Sequence, residues 1–435
     1  DALANAGRGI KAAKLYLEAA ASTPAGAGLD LRRRAAGQLL RAGLMSEGGA
    51  VMRQVVAEVG MSIPTTQRGM STALLVERAR LKLRGLALRE RDPGAIPRDE
   101  LMRLAVARTI ASSVSIHDPL LAALFQARYL HLALKTGHTF HAACALASEV
   151  AVVSTRGEPA RERTERVATQ ATAVAQRVAE ALPRGLLALT RGIAAFHFGR
   201  WQESLGLLER SEQILRGECV GTAYEVTTSQ VFRLVALFLY GELRTLGERM
   251  AQFIAEARER DDTWADAILR AGPQVGYWLA DDDLPRARAE LAYVQQRLPD
   301  ELPGLHRLWI FIGGVLVDGY SGDPGVAWGR VGREWQEFAR SFLWASQWTR
   351  VMLFGLRAGA ALARLHSDHG ESERAGLLRV VENDLDELRG EQTLWATPFV
   401  ELIHAGMMTL HQQQGRAVQG LRAAEQGFRA VDMHL

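Results

Sequence analysis

Cysteine is almost missing from this chain: 435 residues carry two, Cys144 and Cys219, and no C-x-x-C pair. That count excludes a disulfide framework and fits a reducing compartment. Long apolar runs are missing as well. The longest, Leu308–Val317 and Val231–Tyr240, fall far short of the roughly 20 residues a membrane helix needs, and the second contains Arg233. Asp1–Ala19 has no basic start leading into an apolar run, as a secretory signal would. Nor is there an excess of one charge. Lys+Arg number 52 and Asp+Glu 49, a net of +3, too even for the basic stripe that nucleic-acid binding uses. The local basic stretches, Arg32-Arg33-Arg34 and Arg78 to Arg91, read as solvated helix faces, the second flanked and interrupted by Glu77 and Glu90. Together these absences point to a cytoplasmic protein whose partners are neither nucleic acid nor membrane.

Catalytic motifs are absent too. No GxxxxGK[ST] loop, GxSxG elbow, HExxH pair, HRD or DFG occurs. Asp281-Asp282-Asp283 reads as a helix-breaking turn. His131, His138, His141 and Cys144 are the closest approach to a metal set, with 138, 141 and 144 at three-residue steps. His138 directly follows a turn glycine, however, and zinc asks for four fixed ligands, so packing and surface histidines explain the group better. His366 and His369 flank Asp368 near a helix end, where a histidine suits the dipole. No catalytic residue, cofactor or metal is expected.

What remains is abundant helix-forming sequence. Hydrophobic residues make up 48% and charged residues 23%, enough to demand a buried core. Proline is absent from Ala25–Ile63, Leu120–Glu158, Arg184–Gly272 and Gly325–Thr397, stretches rich in Ala, Leu, Arg and Glu, and none shows sustained period-2 alternation. Asp118-Pro119 makes a good helix start.

A spacing recurs along the chain. A turn glycine is followed five residues later by a small residue, then by an apolar residue four further on. Gly7, Ala12, Tyr16, Ala19 and Pro24 show it; so do Gly43, Gly48, Met52 and Val55, and Gly137, Ala142 and Leu146. Gly199, Ser204, Leu208 and Ser211 form the clearest copy. Gly241 with Leu246 and Met250 follows more loosely, then Asp282 in the glycine place with Ala287, Leu291 and Pro299. Gly322/Ala327, Gly370/Ala375 and Gly415/Gly420 complete the series. The glycine takes the left-handed conformation that ends a first helix, and the small residue lets the second helix cross it closely. This is the second half of the tetratricopeptide (TPR) pattern. The turns at 199, 241, 282, 322, 370 and 415 follow at intervals of 40 to 48 residues, longer than the usual 34. An extra helix is expected near Thr164–Ala181, and a divergent pair between 43 and 137 around a loop at Asp92–Pro97. The fold expected is an all-α, right-handed solenoid of TPR-like helix pairs over residues 1–435. Its N-terminal region, residues 1–182, is divergent, and its C-terminal region, residues 183–435, is more regular.

Leu31–Pro64, Arg78–Pro93 and Ala127–Gly137 (ARYLHLALKTG) resemble the C-terminal helical region of large bacterial signalling proteins. In that family a serine/threonine kinase domain and an AAA/STAND-type ATPase precede TPR-like repeats. The 40-residue period also looks like the sensor solenoid of large ATP-dependent transcription regulators. The resemblance implies a regulatory arm, excised from a longer polypeptide, that binds a protein or peptide, among them the kinase and ATPase domains of its own parent.

In such repeats the first helix of each pair lines the concave face. Counting back from the turns, that face holds Ile193, Phe196, Val231, Val235 and Phe238, then Trp309, Ile312, Leu316 and Tyr320. These slots are apolar where a groove for charged peptide ends would show Lys, Arg and Asn. Either the superhelix winds tightly enough to bury its inner face, or that face takes an apolar segment or small ligand. Trp309, Trp328, Trp335, Trp344 and Trp348 crowd the same region, suited to filling wide gaps between helices or to lining a pocket. Two readings therefore stand: a non-catalytic protein- or peptide-binding scaffold, and a small-molecule sensor with an apolar inner cavity.

Overall fold

A computed structural model describes residues 1–23, 25–298, 304–367 and 370–434. Pro24 and Pro299, named above for their place in the pattern, and Asp368 and His369, named with His366, lie outside them. The described residues form 22 α-helices and five short 3-10 segments, with no strand. Neighbouring helices pack on one another along the chain, as in a helical repeat.

The turns carry the pattern. Gly7, Gly43, Gly137, Gly199, Gly241 and Gly322 all have φ between +71° and +87°, and Asp282 takes the same region at +59°. At most of them the residue after the turn donates its N–H to a carbonyl five residues back: Leu44 to Leu39, Arg200 to Ala195, Glu242 to Leu237 and Asp283 to Trp278. This Schellman pairing satisfies carbonyls that the ending helix leaves open. The small residues sit in contact as required. Ala12, Ala142, Ala287 and Ala327 are buried, and the Ser204 hydroxyl donates to the Gly192 carbonyl at 2.8 Å.

Two turns differ from the sequence expectation. Gly370 is an extended N-cap (φ −72°, ψ 156°) to the helix Glu371–Gly390, and Ala375 is exposed. Gly415 lies inside the helix Gln414–Ala430; the left-handed residue is Gln412 (φ +57°), followed five residues on by the buried Ala417. In the second segment the glycine hid a turn built on another residue type. The extra helix runs Arg161–Ala175, shorter than expected, and the divergent pair is Gln67–Arg84 and Arg98–Ser113 about a loop holding Pro93–Ala95. One break carries no signal in the repeat spacing. Gly272 (φ +95°) and Pro273 split a first helix into Thr263–Ile268 and Gly276–Ala280. Trp309 packs there, and a side chain at Gly272 would come within 3.1 Å of its Cβ.

The chain also meets itself at long range. Leu305 N–H donates to Ile116 O, Gln347 N–H donates to Thr155 O, each at 2.9 Å, and Glu158 N–H donates to the Gln347 side chain at 2.8 Å. Further along, Trp395 packs on Trp201 (5.8 Å between rings) and His434 N–H reaches Tyr240 O. The Glu158–Gln347 pair is 189 residues apart, and the others are separated by about as much. With turns 40 to 42 residues apart between 199 and 322, the path returns to itself after between four and five helix pairs. One coil thus lies on the next, and the face between them is withdrawn from solvent.

Candidate functional site

Where the coils meet they leave a cavity of about 330 Å³. Its walls come from the helices Arg98–Ser113, Pro119–Thr136, Thr139–Ser154, Leu182–His197, Ala223–Tyr240 and Leu305–Tyr320, with Phe342–Ala345 and the start of Gln347–Leu365. One wall is aromatic. Phe196 meets Phe232 (5.3 Å) and Trp348 (5.4 Å), and Phe232 meets Trp309 (6.2 Å). Another is small and aliphatic, with Ala122, Ala123, Ala151, Leu189 and Ile193.

The inner-face residues named from sequence fall into three groups. Phe196 and Trp309 line the cavity. Val235 and Ile312 are fully buried in the main core, and Phe238 and Leu316 pack half-buried against it. Tyr320 stands at the surface, 46% exposed, with its hydroxyl donating to Asp282 at 2.7 Å. The tryptophans divide similarly. Trp309 and Trp348 reach the cavity, whereas Trp335 packs between Trp344 and Phe354 with the Arg357 guanidinium 3.5 Å above its ring.

Most polar groups on the wall are engaged by the protein. The Ser115 hydroxyl meets Tyr224 at 3.1 Å, Gln126 donates to Ala145 O at 2.8 Å, Thr190 and Thr228 turn back on their own helices, and His197 Nδ1 meets the Ser154 hydroxyl at 2.9 Å. Burial lowers His197 to about 4 and raises Tyr224 to about 12, so both are neutral at neutral pH.

Arg108 is different. It sits deep between helices yet keeps accessible surface, and it lines the cavity. Its guanidinium lies 5.6 Å from the Phe140 ring centre, but among the described residues it makes no hydrogen bond or ion pair. Burial pushes it down and the neighbouring Cys144, Tyr129 and Glu225 more than restore it, so the cation persists. Burial holds Cys144 up at about 11 and Tyr129 well above the usual phenol range, so neither supplies a negative charge. Glu225 accepts from Arg41 at 3.3 Å and forms no ion pair with Arg108. Sequence reasoning passed over Arg108, and its local sequence does not set it apart. Its neighbours at three and four residues are Leu104, Ala105, Ala111 and Ser112, so no opposite charge stands within helical reach, but the same holds for Arg233, which Glu212 of another helix pairs.

The histidine–cysteine group does not gather as a metal set. His138 and His141 rings meet at 4.8 Å, and His141 Nδ1 is taken by the Tyr129 hydroxyl at 2.9 Å. No group of three or more His, Cys, Asp or Glu is arranged to hold a metal ion among the described residues. No described helix is long and apolar enough to cross a membrane. In comparison with known proteins, no family model matches the chain, and no curated protein matches it significantly.

Proposed function

We propose that this chain is a non-catalytic sensor module: a right-handed solenoid of TPR-like helix pairs that takes up a small, largely apolar molecule in its central cavity. The observation that carries this reading is the cavity itself, walled by Phe196, Phe232, Trp309 and Trp348 and placed where successive coils touch. Its volume lies at the lower end of the range for small-ligand sites, about 300–1,000 Å³. An occupant there would contact both coils and strengthen their packing. The burial of Val235 and Ile312 favours this reading over an open groove for an extended peptide. The output would then pass to a protein partner, in the cytoplasm, through the altered coil-to-coil packing. By the resemblance of its repeats, that partner is the kinase or ATPase portion of a larger signalling protein.

Mass spectrometry of the intact chain, released from its producing cells under native conditions, tests the reading, with Ala151→Phe as the filled-cavity control. A small molecule that copurifies with the chain and is lost from the control supports it. If neither native extracts nor an added apolar probe, 1-octanol, yields a complex or a melting shift that the control abolishes, the sensor reading is wrong.

A further inference from the structure

The chemistry of Arg108 narrows what the cavity accepts. A cation held in an apolar interior is costly unless a counter-charge answers it. Elsewhere in this protein that need is met internally. Arg270 lies against Asp266 and Glu290, and Arg357 grips Asp384 with two guanidinium nitrogens. Arg108 has a ring on one side and the cavity on the other. Phe140, Cys144 and Ser148 succeed one another at four-residue steps along the helix Thr139–Ser154, so they form one ridge. Arg108 lies beside Phe140 and Cys144 on that ridge, and Ser148, one turn further, also reaches the cavity. The Ser148 hydroxyl makes no hydrogen bond to the described residues. A planar fork of donors and a hydroxyl on one wall, facing aromatic and aliphatic walls, match a flat monoanion on an apolar body.

We propose that the cavity binds an apolar monocarboxylate whose carboxylate is anchored by Arg108, with Ser148 donating a further hydrogen bond. This rests on the sensor reading and specifies its ligand class. A phosphate ester fits less well, because a dianion would call for a second cation, and the other charged group on the wall is Glu225. The carboxylate supplies the direct ion pair that Arg108 lacks, and the acyl or aryl body displaces water from Phe196, Trp309 and Trp348. An empty cavity leaves the Arg108 charge answered only at a distance, by Glu225; a filled one pairs it directly.

The test uses the full chain, with octanoate and 1-octanol as a matched charged and neutral pair, read by titration calorimetry and by melting temperature. Octanoate is expected to bind tighter than 1-octanol. Arg108→Met is expected to weaken octanoate about 30-fold or more while leaving 1-octanol nearly unchanged, since removing one partner of a desolvated charge pair costs that much. Without ligand the same variant is expected to melt no lower than the parent protein, because it removes a desolvated charge that no direct ion pair holds. Arg108→Lys keeps the charge without the fork and should fall between the two, and it serves in place of the methionine variant should that one fail to fold. If the two probes bind equally and neither Arg108 variant separates them, the carboxylate assignment is overturned while the cavity reading stands. If neither probe binds the parent protein, both fall.

Discussion

Arg270 and Arg108 are both sunk among helices, and they are answered in opposite ways. In the later half of the chain, Arg270 is tied to Asp266 at 2.8 Å and to Glu290, with Tyr293 also donating to Asp266. Arg233 is set similarly between Glu212 and Glu209. These clusters hold solid packing between consecutive repeats. In the earlier half, Arg108 borders a void and, among the described residues, touches no carboxylate, with Glu225 acting on it only at a distance. The lesson is that a buried arginine says little about its role until its partners are counted: a paired one holds helices in register, and one beside a cavity without a direct partner is where the proposed anion is to be tested.

The largest effect expected from testing this contrast is at the paired end. Asp266→Ala leaves Arg270 with one carboxylate and should cost about 3–5 kcal/mol, read as a lower urea midpoint of the full chain. A loss below about 1 kcal/mol would erase the distinction, since Arg108→Met is expected to cost nothing. Next comes acidity. His117 and His197, each lowered to about 4 by burial, are neutral in the folded chain where the unfolded chain would protonate them. The folded chain binds fewer protons than the unfolded one between pH 6.5 and 4, so stability is full above about 6.5 and drains as pH falls toward 4, by about 3 kcal/mol for each group. His197→Gln should make that slope shallower by one proton, measured by denaturation across the range.

A third comparison separates coil-to-coil packing from turn geometry. Gly199 and Gly322 share the left-handed conformation, but a Cβ at Gly199 would meet Trp395 at 2.6 Å, whereas nothing lies within 4 Å at Gly322. Gly322→Ala should cost about 1 kcal/mol, the conformational penalty alone. Gly199→Ala should cost at least about twice that by thermal melting, and equal losses would mean that the coils do not press together there. The smallest effect is a gain: Gln412→Gly relieves a left-handed glutamine and should stabilise the chain by about 0.5–1 kcal/mol.

Much of the architecture was legible because it rests on local rules. A left-handed residue, a small residue five later and an apolar residue four beyond can all be read within one helix pair, and Gly43, Gly199 and Gly241 mark such turns. The failure at Gly415 comes from the same rule, since Gln412 reaches the left-handed region without glycine's signature, and at Gly370 the glycine caps the start of a helix instead. The cavity was only half legible. Phe196 and Trp309 were chosen as inward-facing, but which inward residues meet solid core and which meet a void depends on coil-on-coil contacts such as Gln347 with Thr155 and Glu158. No window of one repeat contains that information. Arg108 could not have been found from its own helix, since Arg233 and Arg357 also lack an opposite charge three or four residues away and are paired by carboxylates from other helices.

Those coil-on-coil contacts also set a schedule for synthesis. Helix pairs close over about 40 residues and can form as soon as they emerge, whereas Glu158 must wait for a partner 189 residues later, and Thr155 waits for the same Gln347. At about 5–20 residues per second that wait is roughly 10–40 s. During it, the apolar inner surface around Ile193 and Phe196 is uncovered, on a chain still attached to the ribosome. The first coil is therefore the segment most exposed to chaperone capture, and ribosome-bound chains halted before Gln347 should be the ones that recruit it.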